Sequence, residues 1–409
     1  MIDKVREYIE SHWDECIKEN REDVDTLIGL PYPYTVPAVG CFDAIYYWDT
    51  YFTNKGLEVS NRHMTAKNNT DDMLYLVNRF GFMPNGNRYY FLDGSQPPFL
   101  SEMVHDVYKH YKDKAWLVGA YDTLLKEYEF WMTKRITPIG LNRYGGEMTD
   151  EKKTEYADYL VSRIGFSPDG MDKDDIGRHS RLMGESGWDM NPRWGFCGYD
   201  YAHIELNSLL YLFESNMCYF AKELKNGDEL LWLERMNNRK SLMQKYMKNK
   251  DGLLNDYNFA KKRPCDILSA AVFFPLYAKV ADEKEAKAAV DALPLLEAEY
   301  GLLTCEKNDA KGVYQWDYPN GWACLQYIAV IGLDNYGYKE EAMRISEKTV
   351  ELIRKVFAET GNLWEKYNVV EGNINVNNEY DMPPMMGWTA GVYLALTEYI
   401  ENDKTARNS

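Results

Sequence analysis

What most restricts the fold of this chain is a repeated coupling of two kinds of helix. The stretches AAVFFPLYA (270–278) and GWACLQYIAVIG (321–332) are apolar or small-residue rich. The segments that follow them, DEKEAKAAVDALPLLEAE (282–299) and YKEEAMRISEKTVELIRK (338–355), carry a charged stripe. A helix that is apolar all round belongs inside, and an amphipathic one covers it from outside. Pairs of this kind, repeated along a chain, are satisfied by two concentric rings of helices. The predicted fold is therefore all-α: an (α/α)6 barrel of six helical hairpins. It forms a single domain over residues 1–409, with the chemistry in the loops at one rim. No run with period-two alternation competes, and no shift in composition marks a linker.

Periodicity and capping place helices in the N-terminal twenty residues, then over Ile45–Leu57, Met64–Phe80, Phe99–Tyr111 and Ala115–Arg135. Further along they fall over Tyr201–Leu224, Asp228–Lys248, Cys265–Val280, Glu283–Tyr300, Gly321–Leu333, Lys339–Glu359 and Pro384–Ile400. Between Gly140 and Gly184 the chain reads as polar and irregular, with one helix at Glu151–Arg163. A D-x-D-D string, Asp172-Lys173-Asp174-Asp175, lies there. Such a string protonates alkenes in some α/α-barrel cyclases. Flanked by Gly and Pro and lacking calcium-loop register, it reads as a solvated surface or subsite loop.

A net charge of −17 argues against nucleic acid and against an anionic membrane surface as partners. With six histidines and no paired spacing among them, no metal site is expected. Seven cysteines without C-x-x-C spacing suit a reduced chain. The charged N-terminal helix has no apolar signal-like core, so the expected location is cytoplasmic. Aromatic residues make up 14% of the chain, including 33 Tyr and 11 Trp, and they recur in the loops beside carboxylates and amides. FDAIYYWDTYF, MPNGNRYYFLDGSQPPF, QWDYPNGW, NLWEKYN and EYDMPPMMGWTAG share this vocabulary. Aromatic rings stack on a pyranose face while carboxylates and amides bridge its hydroxyls, which points to a small carbohydrate.

The segment GESGWDMNPRW (184–194) sets Asp189 between Trp188 and Trp194. A carboxyl in an aromatic hollow loses hydration of its charged form and holds its proton, as a general acid must. A capping aspartate, or one paired with Arg193, is the plainer alternative. Glu365 beside Lys366 likewise reads either as a base or as an exposed ion pair. Asp49 reads as a ligand group or a cap, Asn85 and Asn320 as ligands or N-G turn residues, and Trp388 with Met385 and Met386 as packing or lid.

Taken in order, DGSQPP, PNGNR, ESGWD, QWDYPNGW, WEKYN and EY…GWTAGV resemble the successive motifs of trehalases, a family of inverting glycoside hydrolases on a six-hairpin α/α barrel. The resemblance runs from about Phe42 to Val392. It extends more loosely to processing α-glucosidases, glycosylglycerate hydrolases and neutral invertases. It implies that Asp189 is the general acid and Glu365 the general base. It implies that Phe42, Trp48, Asp49, Asn85, Gln96, Gly187, Trp316 and Glu379 line the sugar pocket. Tyr46, Trp188, Gln315 and Trp388, from the same loops, complete the substrate-binding set. Inverting chemistry sets the two carboxyls about 6.5–9.5 Å apart, with the water between. It requires no metal or organic cofactor.

The chain departs from the family where substrate would be tied down. Cys41 stands where the family has Arg before Phe42, and Gly94 where it has Arg before S-Q-P-P. An R-P-E-S segment is missing after Tyr144, NINVNN replaces a Gly-rich lid, and MNPRW follows ESGWD. Cysteine and glycine do not replace a guanidinium fork. The expected activity is hydrolysis of trehalose or a related small α-linked glucoside. Alternatives are an α-glucosidase, a glucosyl- or mannosylglycerate hydrolase, a phosphorylase, or a non-catalytic sugar-binding protein.

Overall fold

A computed structural model describes residues 3–378, 380–384 and 387–408, without the side chains of 407 and 408. Glu379, Met385 and Met386, singled out by sequence, lie outside the described residues. The helices are Lys4–His12 (α1), Tyr47–Val59 (α2), His63–Phe80 (α3), Leu100–Tyr111 (α4) and Lys114–Lys134 (α5). Asp150–Ile164 (α6), Lys173–Ser186 (α7), Ile204–Leu224 (α8), Glu229–Tyr246 (α9) and Phe274–Tyr277 (α10) follow. Glu283–Leu296 (α11), Ala323–Asn335 (α12), Lys339–Thr360 (α13) and Gly387–Asn408 (α14) complete the set.

Six of these form a closed inner ring, in which α2 packs on α4, α4 on α8, α8 on α10, α10 on α12, α12 on α14, and α14 again on α2. The closing contact is made by glycines. A Cβ on Gly391 would overlap the carbonyl of Phe52, and one on Gly56 would press on Gly391. Two backbones approach this closely only where neither residue carries a side chain. The outer ring is α1, α3, α5, α9, α11 and α13. α1 is tied on by Asp3, which accepts from Tyr393 and Arg354. The pairing read from the sequence is borne out. Nearly all of α12 is buried, while α13 buries a stripe through Ala342, Ile345, Thr349, Ile353 and Val356.

Two sequence expectations are corrected. Cys265–Val280 is not one long helix: Ser269 is extended and its hydroxyl accepts from the Ala271 N–H, so helical backbone begins only at Ala270. Cys265 is instead bonded back to Asp256. The second concerns the tract 140–184, which is more ordered than its composition suggests. It contains α6 and α7, an antiparallel hairpin added to the two rings at the cavity rim. Asp172 is not in a loop tip but caps α7, accepting from the Asp174 N–H at 3.0 Å, and Asp174 and Asp175 fill its first turn, where the helix dipole favours acid. Gly177 lets α7 press onto the carbonyl of Lys153 in α6, where a Cβ would overlap.

Candidate active site

The rim loops enclose a cavity of about 420 Å³, within the range of about 300–1,000 Å³ typical of small-ligand sites. Asp189 and Glu365 both line it, as do Phe42, Tyr46, Trp48, Asp49, Asn85, Gln96, Gly187, Gln315, Trp316 and Trp388. Trp188 does not. It is fully buried behind the wall, with its ring 5.3 Å from that of Trp316 and the Arg193 guanidinium 4.0 Å from its own.

The loop that carries Asp189 is built by what flanks it. α7 ends at Gly187, whose φ of +72° suits glycine, and a Cβ there would come within 2.7 Å of the Trp48 indole. The Ser186 hydroxyl accepts from the Trp188 N–H at 3.1 Å, and Asn191 donates back to the Trp188 carbonyl at 2.7 Å. Met190 follows with φ +54°, a conformation an L-residue holds only where its surroundings enforce it. Beneath the loop, Arg193 is fully buried between Trp188 and Trp194 and pairs with Glu205 at 2.8 Å and Asp256 at 3.4 Å. The arginine thus serves as the loop's anchor.

Glu185, the acid of the E-S-G motif, is also an anchor. Arg135 donates to both its oxygens at 2.7 Å, and the N–H groups of Ser95 and Gly145 add bonds at 2.8 and 2.5 Å. Burial pushes its carboxyl up, but Arg135, Arg181 and the backbone donor outweigh burial and hold it at about 2. One ion therefore fixes the end of α7 to the S-Q-P-P loop.

Across the cavity, Glu365 is 4% exposed and Lys366 fully buried, so the alternative of an exposed pair fails. Lys366 donates to Oε2 at 2.7 Å and Tyr380 to Oε1 at 2.5 Å. Trp388 donates to the Glu365 carbonyl at 3.0 Å. Two short antiparallel strands, Asn320–Trp322 and Lys366–Asn368, join QWDYPNGW to WEKYN. Trp316 and Trp322 stack at 3.7 Å between ring centres, and Trp388 meets both edge-on. Burial raises the Asp49 carboxyl to about 8, and the Glu365 charge adds to the effect. Gln96 accepts from the Trp48 N–H at 3.2 Å, and Asn85 donates to the Gly184 carbonyl at 3.3 Å. The turn and ligand readings of Asn85 are therefore compatible.

Sequence reasoning missed the contribution of the α6–α7 hairpin. Tyr156, Tyr159 and Arg163 from α6, and Ser180, Arg181 and Met183 from α7, line the same cavity. The available signal was the spacing of Tyr156, Tyr159 and Arg163, which share one helical face. Asp93, Phe91 and Tyr380 were also passed over, although they lie inside quoted motifs. Among the described residues no cluster of side chains suits a metal ion. No described helix is long and apolar enough to cross a membrane.

This arrangement, two carboxylates (Asp189 half-buried, Glu365 buried) on one aromatic cavity at the rim of an α/α barrel, is that of a glycoside hydrolase, and comparison with known proteins gives the same class. The Trehalase family profile matches residues 2–401. A periplasmic trehalase of Escherichia coli O8 (strain IAI1) is 32% identical over 97% of this chain and 74% of its own length. A periplasmic trehalase of Xanthomonas oryzae pv. oryzae is 31% identical over 96% and 72%. The chain belongs to the trehalase family. Among solved structures, neutral trehalase Nth1 from Saccharomyces cerevisiae superposes with a TM-score of 0.77 at 29% identity, covering 98% of this chain and 80% of that one. A mannosylglycerate hydrolase from Thermus thermophilus shares the fold, with TM-score 0.65 at 15% identity over 96% of this chain and all of its own.

The expected cytoplasmic location is corrected by the two bacterial trehalases, which are named as periplasmic enzymes. All seven thiols are free, but four of them (Cys16, Cys265, Cys305 and Cys324) are buried, and burial keeps a thiol inert in an oxidising compartment too.

Proposed function

We propose that the chain is a single catalytic domain that hydrolyses trehalose, or a closely related small α-linked glucoside, with inversion at the anomeric carbon. The observation that carries this reading is the presence of Asp189 and Glu365 on one cavity of disaccharide scale, with Glu365 held in a single orientation by Lys366 and Tyr380.

In this reading the pyranose to be attacked stacks among Trp48, Trp316 and Trp388, while Gln96, Asn85 and Asp49 take its hydroxyls. Asp49, held protonated by burial, is a hydroxyl-like donor rather than a second anion, so it does not repel the charge on Glu365. Glu365 draws a proton from a water, whose oxygen forms a bond to the anomeric carbon from the face opposite the leaving group. As the glycosidic C–O bond breaks, Asp189 gives its proton to the departing oxygen. Lys366 and Tyr380 fix the two Glu365 oxygens, each of which still has a lone pair free for the water. Catalysis needs this orientation, since misplacement by about 1 Å costs about 10²-fold.

The test is proton NMR of fresh product. From trehalose, inversion yields one β- and one α-glucose per turnover, and retention yields α-glucose alone. A screen over trehalose, kojibiose, nigerose, maltose, sucrose, glucosylglycerate and mannosylglycerate fixes the substrate. Trehalose left intact while another member is cleaved would overturn the substrate assignment but not the chemistry.

A further inference from the structure

Arg181 is the most unusual residue on the cavity. It leaves α7 two turns before Asp189, is 4% exposed, and lines the same wall. Its guanidinium occupies the space directly over Gly94, where any Cβ would overlap it. Nε lies 3.4 Å from Asp93 and Nη2 lies 3.8 Å from Glu185. Neither nitrogen makes a hydrogen bond among the described residues. A buried guanidinium with unused donors is costly unless something else accepts from them.

The local charges say what that acceptor is. Arg135 and Arg181 face Glu185 and Asp93, two cations against two anions, so the cluster is already neutral. Tyr156 also donates to Asp93, at 2.5 Å. A carboxylate on the substrate would add an uncompensated charge; a neutral hydroxyl would not. The same hairpin that ends in the proposed acid also brings Tyr156, Tyr159 and Arg163 to the cavity, and the acid faces the leaving group. We propose that Arg181 is a specificity-determining residue that donates from Nε and Nη2 to hydroxyls of the leaving sugar, and that Gly94 is glycine to leave it room. The chain's departure from the trehalase motif at Gly94 then has a structural reason: the guanidinium arrives from a different element. The proposal rests on the glycosidase reading of the cavity.

The experiment compares trehalose with α-D-glucosyl fluoride, whose leaving group has no hydroxyls. Arg181→Gln should lower kcat/KM on trehalose by about 10²-fold, as expected when charged donors lose two substrate hydroxyls, and leave the fluoride within about threefold. Arg181→Gln disturbs a buried charge cluster, so Gly94→Ala is the second variant. It removes no charge but displaces the guanidinium, and should give the same selective loss. An equal loss on both substrates, or none on trehalose, overturns the proposal. Wild-type protein that cleaves the fluoride but not trehalose counts against the trehalose assignment alone; the comparison then runs on the disaccharide it does cleave, where a selective loss supports the role of Arg181 and an equal one overturns it.

Discussion

Two glutamates are buried on opposite sides of the cavity, each beside a cation, and they do different things. Glu185 is surrounded: a bidentate arginine and two backbone N–H groups occupy its oxygens, and it does not line the cavity. Glu365 has two partners, Lys366 and Tyr380, and faces the open space. Burial and a cationic neighbour are common to both, so neither marks a base. The distinguishing property is a carboxylate oxygen with lone pairs left over and somewhere for a water to stand.

The comparison is tested most sharply by neutralising each acid. Glu365→Gln should lower kcat on trehalose by about 10⁴-fold, the upper range for loss of a general base. Its unfolding temperature should fall less than that of Glu185→Gln, because Lys366 keeps the faces of Trp322 and Tyr380. A Glu365→Gln enzyme with near-native turnover would end the assignment. Asp189→Asn should cost about 10³-fold on trehalose, yet much less on α-D-glucosyl fluoride, which needs no proton on its leaving group. Equal losses on the two substrates would place Asp189 outside the proton path.

Glu185→Gln should behave as a stability variant. Removing one partner of a buried ion pair costs about 3–5 kcal/mol, read by denaturant unfolding, and what folds should retain activity on the fluoride. The sign of its pH dependence also follows. Its folded pKa, about 2, lies below the ordinary 4.5, so its stabilisation is present above about pH 4.5 and is lost as pH falls towards 2. Asp49 runs the other way. With its folded pKa raised to about 8 from 3.8, the native state holds a proton the unfolded state has lost, and stability falls as pH rises between those values. Asp49→Asn should therefore flatten part of that decline, the smallest of these effects, visible as a narrower gap between unfolding temperatures at pH 5 and pH 8.

Much of this was legible in the sequence. Local periodicity sets where helices lie, and most boundaries fell within two or three residues. The motifs also brought twelve of the expected residues to one cavity, including Asp189 and Glu365. The α6–α7 hairpin was harder to see. KDDIGRHSRLMGES (173–186) is polar, with two glycines, and nothing within the segment shows that Gly177 is there for close packing on Lys153. Trp188 failed in the opposite sense. A motif tryptophan beside the acid looks like a ligand, but only the packing of Arg193 and Trp316 against it shows that it faces away.

By itself, then, the sequence determined the helical pairing, the aromatic loops and the two carboxyls, because each rests on side-chain identity and short-range spacing. Only the tertiary structure decided which buried glutamate is an anchor and which faces the cavity, since that depends on donors contributed by Arg135, Ser95 and Gly145, up to ninety residues away. It also decided that the guanidinium over Gly94 comes from α7. A glycine reports that space is needed, and only the fold shows what fills it.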